Sequence, residues 1–534
     1  MLTFSVVPEP KLHEVPMRPG PAVLSFFAAA VLLVAPAAQA APVTAVPGLP
    51  DAALAVMNQP AYAGAQWFVS VRDLATGAPV VSLNGDVLAQ PGSVVKTYSM
   101  GAGWLKFGPD SRVTTPVKRT GRISGGTLRG NLILVGMGDM TMDGRTKPDG
   151  TVDFANLDHN DANLLPGATL TPQNPLTGLN RLARQVRAAG VRRVSGDVIV
   201  DDRLWETANL ERDPVSPIIV NNNLIDFTTK PGRPGQIATT RMSPKVAPWT
   251  VRSEVRTIAA GGKTSIVVTS PAPGKVVLQG AVAADADPVL NTYAFDDPAT
   301  FARTAFIEAL RRAGVAVRTD ATATNPAGRL PRKAAVTRLP AVAKLRSLPL
   351  REEATYVLKV SYNRGGQTMI CRLAVAAGST DCDDGMREAA GIWAAAGLDP
   401  KQVVLSDGSG LVGNLITADN QVRLQAIMQQ RADVAEWQAA MPALGVDGSL
   451  YKVQRNSPAR GKVFAKTGSL GGFDAFSRRY VLPTKALGGY IDTAQGRRFA
   501  FTIFVTNSVF ATLEGVFEAN DDVGKVAAII QQAY

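Results

Sequence analysis

Three short polar motifs, spread over most of the chain, restrict what this sequence can fold into. Ser93-Val94-Val95-Lys96 follows Pro91-Gly92, Ser361-Tyr362-Asn363 lies far downstream, and Lys466-Thr467-Gly468 lies further still. A serine attacks a carbonyl well only beside a base, and the lysine one helical turn later supplies one. The second motif brings another hydroxyl and an amide. The third brings a cation and a hydroxyl suited to a carboxylate. Such groups cooperate only when held in one fixed geometry, so the chain must return twice to a single pocket and carry the residues between as an excursion. The histidines narrow the choice. His13 and His159 are the only two, and His13 falls in an expected leader, so a Ser-His-Asp triad is nearly excluded in favour of a serine–lysine dyad.

At 534 residues the chain exceeds one simple core and suggests about two to four domains. Apolar residues make up 46% and charged residues 19%, a balance that excludes a disordered chain. The N-terminus reads as an export signal. The apolar stretch 22–34 precedes Ala38-Gln39-Ala40, a small-x-small pattern, which assigns residues 1–40 to a signal peptide cleaved near Ala40. The stretch is short for a membrane span, an uncleaved anchor being the alternative. Because the segment before Met17 is long and mixed, translation starts at either Met1 or Met17. The mature protein is expected in the periplasm or otherwise outside the cytoplasm. There Cys371 and Cys382, the only cysteines, are expected to form a structural disulfide rather than remain free thiols. So few cysteines and histidines leave little for a zinc site, and no metal or other cofactor is expected. The net charge of +12 suits cell-wall polymer or lipid headgroups, with loose association to a membrane surface. Dispersed basic residues and sparse aromatics argue against nucleic acid as a partner.

Residues 67–72 alternate, Ala75-Thr76-Gly77 turns and 80–83 returns, a hairpin that delivers the chain to Pro91. Ser93 should open a helix that carries Lys96 on the same face. Residues 41–110 are read as the first part of the catalytic domain and 331–534 as its second part. Between them, 111–330 reads as β-rich, about two domains with one nested in the other. Short strands are predicted there at 131–135, 198–200, 265–269 and 275–278, with helices over 179–189 and 301–313, each ending in Ala-Gly-Val. Downstream, a helix is predicted over 386–396 and strands over 462–466, 475–481 and 498–505. A final helix buries Val523, Val526, Ala527 and Ile530 on one face.

With its motifs in this order, the chain resembles the class C low-molecular-mass penicillin-binding proteins, the D-alanyl-D-alanine carboxypeptidase/endopeptidase family. The resemblance covers most of 60–534. It takes in the run from Gly130 to Asp139, Ser195-Gly196-Asp197, Asp407-Gly408-Ser409-Gly410-Leu411 and Lys466-Thr467-Gly468-Ser469-Leu470. It implies an α+β fold of the serine β-lactamase/DD-peptidase type, an antiparallel sheet flanked by helices plus a helical subdomain, with large β-rich inserted domains before Ser361. It also implies a serine-type hydrolase that cuts peptidoglycan stem peptides at D-Ala-D-Ala through an acyl-enzyme on Ser93 and is inhibited by β-lactam antibiotics.

Carried onto this sequence, the resemblance makes Ser93, Lys96 and Ser361 catalytic. Asn363, Lys466, Thr467 and Gly468 bind substrate, Gly468 by letting the substrate backbone lie close to its strand. The backbone N–H groups of Ser93 and Ser469 form the oxyanion hole. Lys96 must be neutral to accept a proton, and moving a lysine from ~10.4 to ~8 takes about 3 kcal/mol. Burial and the charge of Lys466 are the expected sources. Asp139, Asp197, Asp407 and Ser409 are expected to shape turns, and Arg478 and Arg479 to be solvated strand residues. Tyr362 replaces a usual aspartate, Gly366-Gln367 a usual Ala-Glu, and Met140 a usual proline. Two readings compete. One is a catalytically weak cell-wall-binding protein, suggested by Tyr362 and Gln367. The other is a β-lactamase, for which the nearest glutamate-motif string, Asp287-Pro288-Val289-Leu290-Asn291, lies before Ser361 rather than after it.

Overall fold

Alternating apolar residues from both ends of the chain build one antiparallel sheet. β1 (Gln66–Asp73) and β2 (Pro79–Leu83) form the predicted hairpin. The last third of the chain adds β3 (Val463–Asp474), β4 (Arg479–Asp492) and β5 (Arg498–Phe510), in the order β2-β1-β5-β4-β3. The computed structural model describes residues 43–534 apart from Asp143 and Arg212, so the expected leader, its cleavage site and both candidate start codons lie outside the described residues. Successive side chains point to opposite faces of a strand. Accordingly Trp67, Val69, Phe501, Ile503 and Val505 meet the final helix, while Phe68, Ala486, Tyr490 and Phe504 join the cluster of the helical side. Both faces of the sheet are therefore covered.

The helical side comprises α1 (Lys96–Phe107), α2 (Leu350–Lys359), α3 (Asn363–Ala376) and α4 (Cys382–Ala395); α5 (Leu513–Ala533) covers the other face. Val523, Val526, Ala527 and Ile530 of α5 are all buried, as their spacing predicts. Among the described residues no helix is long and apolar enough to cross a membrane. Cys371 in α3 is bonded to Cys382 at the start of α4. Closing so short a loop restricts the unfolded chain, and replacing both cysteines with serine is expected to cost about 3 kcal/mol. Thermal melts of the oxidised wild type and the double variant check this, and equal midpoints would refute it.

Between α1 and α2 the predicted short strands form as Leu132–Val135, Val198–Asp201, Ser265–Ala272 and Lys275–Ala283, and the two helices as Thr177–Ala188 and Pro298–Arg312. Ala341–Arg346 pairs with Thr114–Arg119, so the sheet that begins the excursion closes only at Arg346, beyond the 330 read from sequence. The buried side chains of the excursion share one cluster from Val117 to Leu345. Two expectations are corrected. Asp197 shapes no simple turn: its buried carboxylate pairs with Arg303 at 2.8 Å and Arg329 at 3.2 Å. The strand expected over 475–481 begins only at Arg479. Before it, the Asp474 carboxylate accepts the N–H groups of Phe476 and Ser477, and Arg478 takes a φ of 55°, which makes a turn. β4 then runs to Asp492, a length hidden by Pro483, which sits where the pairing of β4 shifts, and by Gly488-Gly489.

Candidate active site

Ser93 lies on a single 3-10 turn, Gly92–Val95, that leads directly into α1, so the expected helix opening is wound more tightly than an α-helix. One turn on, Lys96 is 0% exposed. Its Nζ lies 2.7 Å from Ser93 Oγ, 2.6 Å from Asn363 Oδ1 and 2.8 Å from the Ser409 carbonyl. The two carbonyl oxygens can only accept. A neutral amine has two N–H groups for them and one lone pair left, directed at the Ser93 hydroxyl. Burial pushes Lys96 down to about 7 against the opposing charges of Asp407 and Asp161. Burial, rather than the expected charge of Lys466, carries the shift.

The Asp407–Gly410 turn aims that Ser409 carbonyl. Asp407 Oδ1 accepts the N–H groups of Ser409 and Gly410 at 2.6 and 2.8 Å, as expected of a turn-former. Gln367, at the position of a usual glutamate, holds the same turn by accepting the Gly408 N–H at 2.8 Å. Tyr362 is buried against Tyr356, ring centroids 5.5 Å apart, so the exchange for aspartate is absorbed as aromatic packing. Its neighbour Ser361 takes a φ of 60°, a strained value for a residue with a side chain. Ser361 Oγ accepts from Lys466 Nζ at 2.8 Å. The hydrogen bonds of Lys96 go elsewhere, so Ser361 touches the second lysine of the site rather than the first.

β3 carries Lys466, Thr467, Gly468 and Ser469 past the nucleophile. Gly468 serves a different purpose from the one expected. A Cβ there would lie 2.0 Å from the Pro91 carbonyl oxygen, so the space is taken by the nucleophile loop and not kept for a substrate. In turn, a Cβ on Gly92, whose φ is 52°, would lie 2.7 Å from the Ser469 nitrogen. These close approaches set the Ser93 turn against the strand that bears Ser469. Thr467 Oγ1 is 2.7 Å from Ser449 Oγ, and Ser469 Oγ accepts from Lys485 Nζ at 2.7 Å.

Sequence reasoning missed Lys485 and Asp161. Lys485 faces Ser469 only through the register of β3 with β4, which no local motif encodes. Asp161 arrives from the excursion on a short turn, His159–Asp161. That turn is fixed by the Arg145–Asp158 pair at 2.8 Å and by His159 Nδ1 2.8 Å from Asp226 Oδ1. The polar run Asp158-His159-Asn160-Asp161 was its only signal. Burial pushes Asp161 up to about 7, while the positive charges of Lys96 and Lys466 oppose the rise. Asp161 lines a cavity of about 100 Å³ with Ser93, Asn160, Asn363 and Arg364, and also a larger one of about 430 Å³ with Ser449 and Lys485. Arg478 on the β3–β4 turn and Arg479 at the start of β4 are both exposed, solvated as expected, although only Arg479 is a strand residue.

Fold and pocket together define an active-site-serine hydrolase of the acyl-enzyme type. The model of the D-Ala-D-Ala carboxypeptidase 3 (S13) family matches residues 51–520. The chain belongs to that family: it is a serine-type DD-peptidase, with the α+β fold of a low-molecular-mass penicillin-binding protein. It is 27% identical over 481 residues to a D-alanyl-D-alanine carboxypeptidase of Actinomadura sp. (strain R39), covering 84% of this chain and 79% of that one. Among solved structures it is similar to penicillin binding protein 4 from Haemophilus influenzae, with a TM-score of 0.66 and 18% identity, over 90% of this chain and 97% of that one. The same protein complexed with a novel β-lactam gives a TM-score of 0.63 at 18% identity, over 88% and 97%.

Proposed function

We propose that Ser93 attacks the carbonyl between the two terminal D-alanines of a peptidoglycan stem peptide while Lys96 takes its proton. The 2.7 Å contact between Ser93 Oγ and an amine whose other partners only accept carries this reading. The oxyanion is met by the N–H groups of Ser93 and Ser469, donors worth ~3–4 kcal/mol each in such sites. As the C–N bond breaks, Lys96 gives the proton to the leaving nitrogen, with Ser361, held by Lys466, as the hydroxyl beside that nitrogen, and D-alanine or the amine side of a cross-bridge departs. Water, deprotonated by Lys96, then cleaves the ester and returns the proton to Ser93. Lys466 and Thr467 bind the terminal carboxylate, and Asn363 holds Lys96 and the peptide amide. A β-lactam acylates Ser93 because its strained amide imitates the dipeptide. The names of the curated relative and of the β-lactam complex support this reading.

Incubation with a fluorescent penicillin is expected to label the wild type covalently and to leave Ser93→Ala unlabelled. An unlabelled wild type would sink the proposal. The β-lactamase reading gains nothing from the string 287–291, because Leu290 and Asn291 are paired within a strand of the excursion, opposite Thr228 and Phe227.

The protein acts after export, in the periplasm or an equivalent compartment. The disulfide supports an oxidising environment, and the net charge of +12 supports loose contact with an anionic surface. Secretion of a reporter fused to residues 1–45 tests the leader.

A further inference from the structure

Three buried amines converge on this site, and each is hydrogen-bonded to a serine: Lys96 to Ser93, Lys466 to Ser361 and Lys485 to Ser469, at 2.7, 2.8 and 2.7 Å. Exposure of the three is 0%, 0% and 5%. Their counter-charges are few. Asp161 and Asp407 act on Lys96, and Asp161 acts on Lys466. Lys485 has neither, and among the described residues no carboxylate lies within ion-pair distance of it. A buried ammonium without an anion is costly, and proteins seldom keep one that packing alone could replace. A tyrosine, methionine or leucine would fill this position on β4 without that cost.

The position of Lys485 says what anion would complete the site. Its partner Ser469 follows the Lys466-Thr467-Gly468 run on β3, and its amine lies in the wall of the cavity of about 430 Å³. Ser449, in the same wall, is hydrogen-bonded to Thr467. The cavity therefore lies next to the strand proposed to receive the substrate's carboxyl end, reached through the Ser449–Thr467 contact, and it shares Asp161 with the smaller cavity at Ser93. The other charged groups facing it are Asp161 from the excursion, Lys452 from the loop before β3 and Asp521 from α5.

We propose that Lys485 is a second anion-binding residue of the site, which shares with Lys466 and Thr467 the carboxylate of the leaving residue. This deepens the DD-peptidase reading and rests on it. Burial holds the Lys485 amine down to about 7, and burial with the like charges of Lys96 and Lys485 lowers Lys466 as well. An arriving carboxylate reverses that balance for the pair and is bound by both amines as they take up protons. The rival reading of the same contact is that Lys485 only positions Ser469, the expected oxyanion-hole donor.

Benzylpenicillin and its methyl ester separate the two roles, since only the acid offers a carboxylate. The second-order rate of Ser93 acylation is measured with both compounds on the wild type, Lys485→Met and Lys485→Gln. Glutamine keeps a hydrogen bond to Ser469 but no charge, and it serves as the readout should the methionine variant not fold. Anion binding predicts that each variant loses about tenfold with the acid and less than twofold with the ester, with Lys485→Arg restoring part of the loss. Equal losses with acid and ester, or no loss with either, would overturn the proposal. A wild type that neither compound labels would instead refute the DD-peptidase reading beneath it.

Discussion

Lys96→Met is expected to slow acylation of Ser93 by about three orders of magnitude, within the range seen when a positioned base is removed. Methionine nearly matches lysine in length and shape, so the cavity stays filled. What disappears is the lone pair facing Ser93 Oγ and the two N–H groups that Asn363 Oδ1 and the Ser409 carbonyl accept. Those acceptors are then buried without partners, and thermal stability should fall modestly as well. The pH profile gives the sharper test. Burial holds Lys96 at about 7, so its neutral, proton-accepting fraction grows as the pH rises through that value. Acylation of the wild type by penicillin should climb across this window and level off above it, whereas the residual rate of Lys96→Met should be flat there. Stopped-flow measurement from pH 5.5 to 9 checks both. A variant within tenfold of the wild type, or a wild-type rate that falls with rising pH, would remove Lys96 from the role of base.

The second large effect is expected at Gly468, from a single added carbon. In Gly468→Ala the new Cβ would stand 2.0 Å from the Pro91 carbonyl oxygen and 3.1 Å from Ala486 Cβ. The first neighbour is backbone and cannot swing aside. Either β3 or the loop carrying Ser93 must move by more than an ångström, and misplacement on that scale costs about a hundredfold in rate. Acylation should fall by that factor or more while the circular dichroism spectrum is kept. Gly391→Ala is the control. It lies on the exposed face of α4 with nothing within 4 Å of an added Cβ, so its acylation rate should be unchanged. Near-wild-type acylation by Gly468→Ala would mean that the nucleophile loop tolerates displacement and that the contact is incidental.

The class of reaction was legible in the sequence because a nucleophile, a base and a carboxylate anchor would each demand a particular residue type. Ser93, Lys96, Asn363 and Lys466 were readable from identity and order. So were the β1–β2 hairpin and the buried face of α5, whose patterns are local. Strand ends were not. Pro483 and the paired glycines disguised β4, which holds its course because β3 and β5 pair with it on both sides. A side chain's partners were no more visible. Ser361 was readable as a catalytic residue, but its place against Lys466 rather than Lys96, on a left-handed backbone, was not.

By itself, then, the sequence determined which chemical groups this protein possesses and which of them must meet, since those demands are written in residue types. Only the tertiary structure decided what stands beside them. Lys485 reaches Ser469 through the register of two strands, Asp161 enters from an excursion anchored by buried ion pairs, and Gly468 is glycine because Pro91 lies against it. Each of these depends on contacts between segments remote in the chain. Such contacts are settled by how whole surfaces pack, which leaves no motif in the residues themselves.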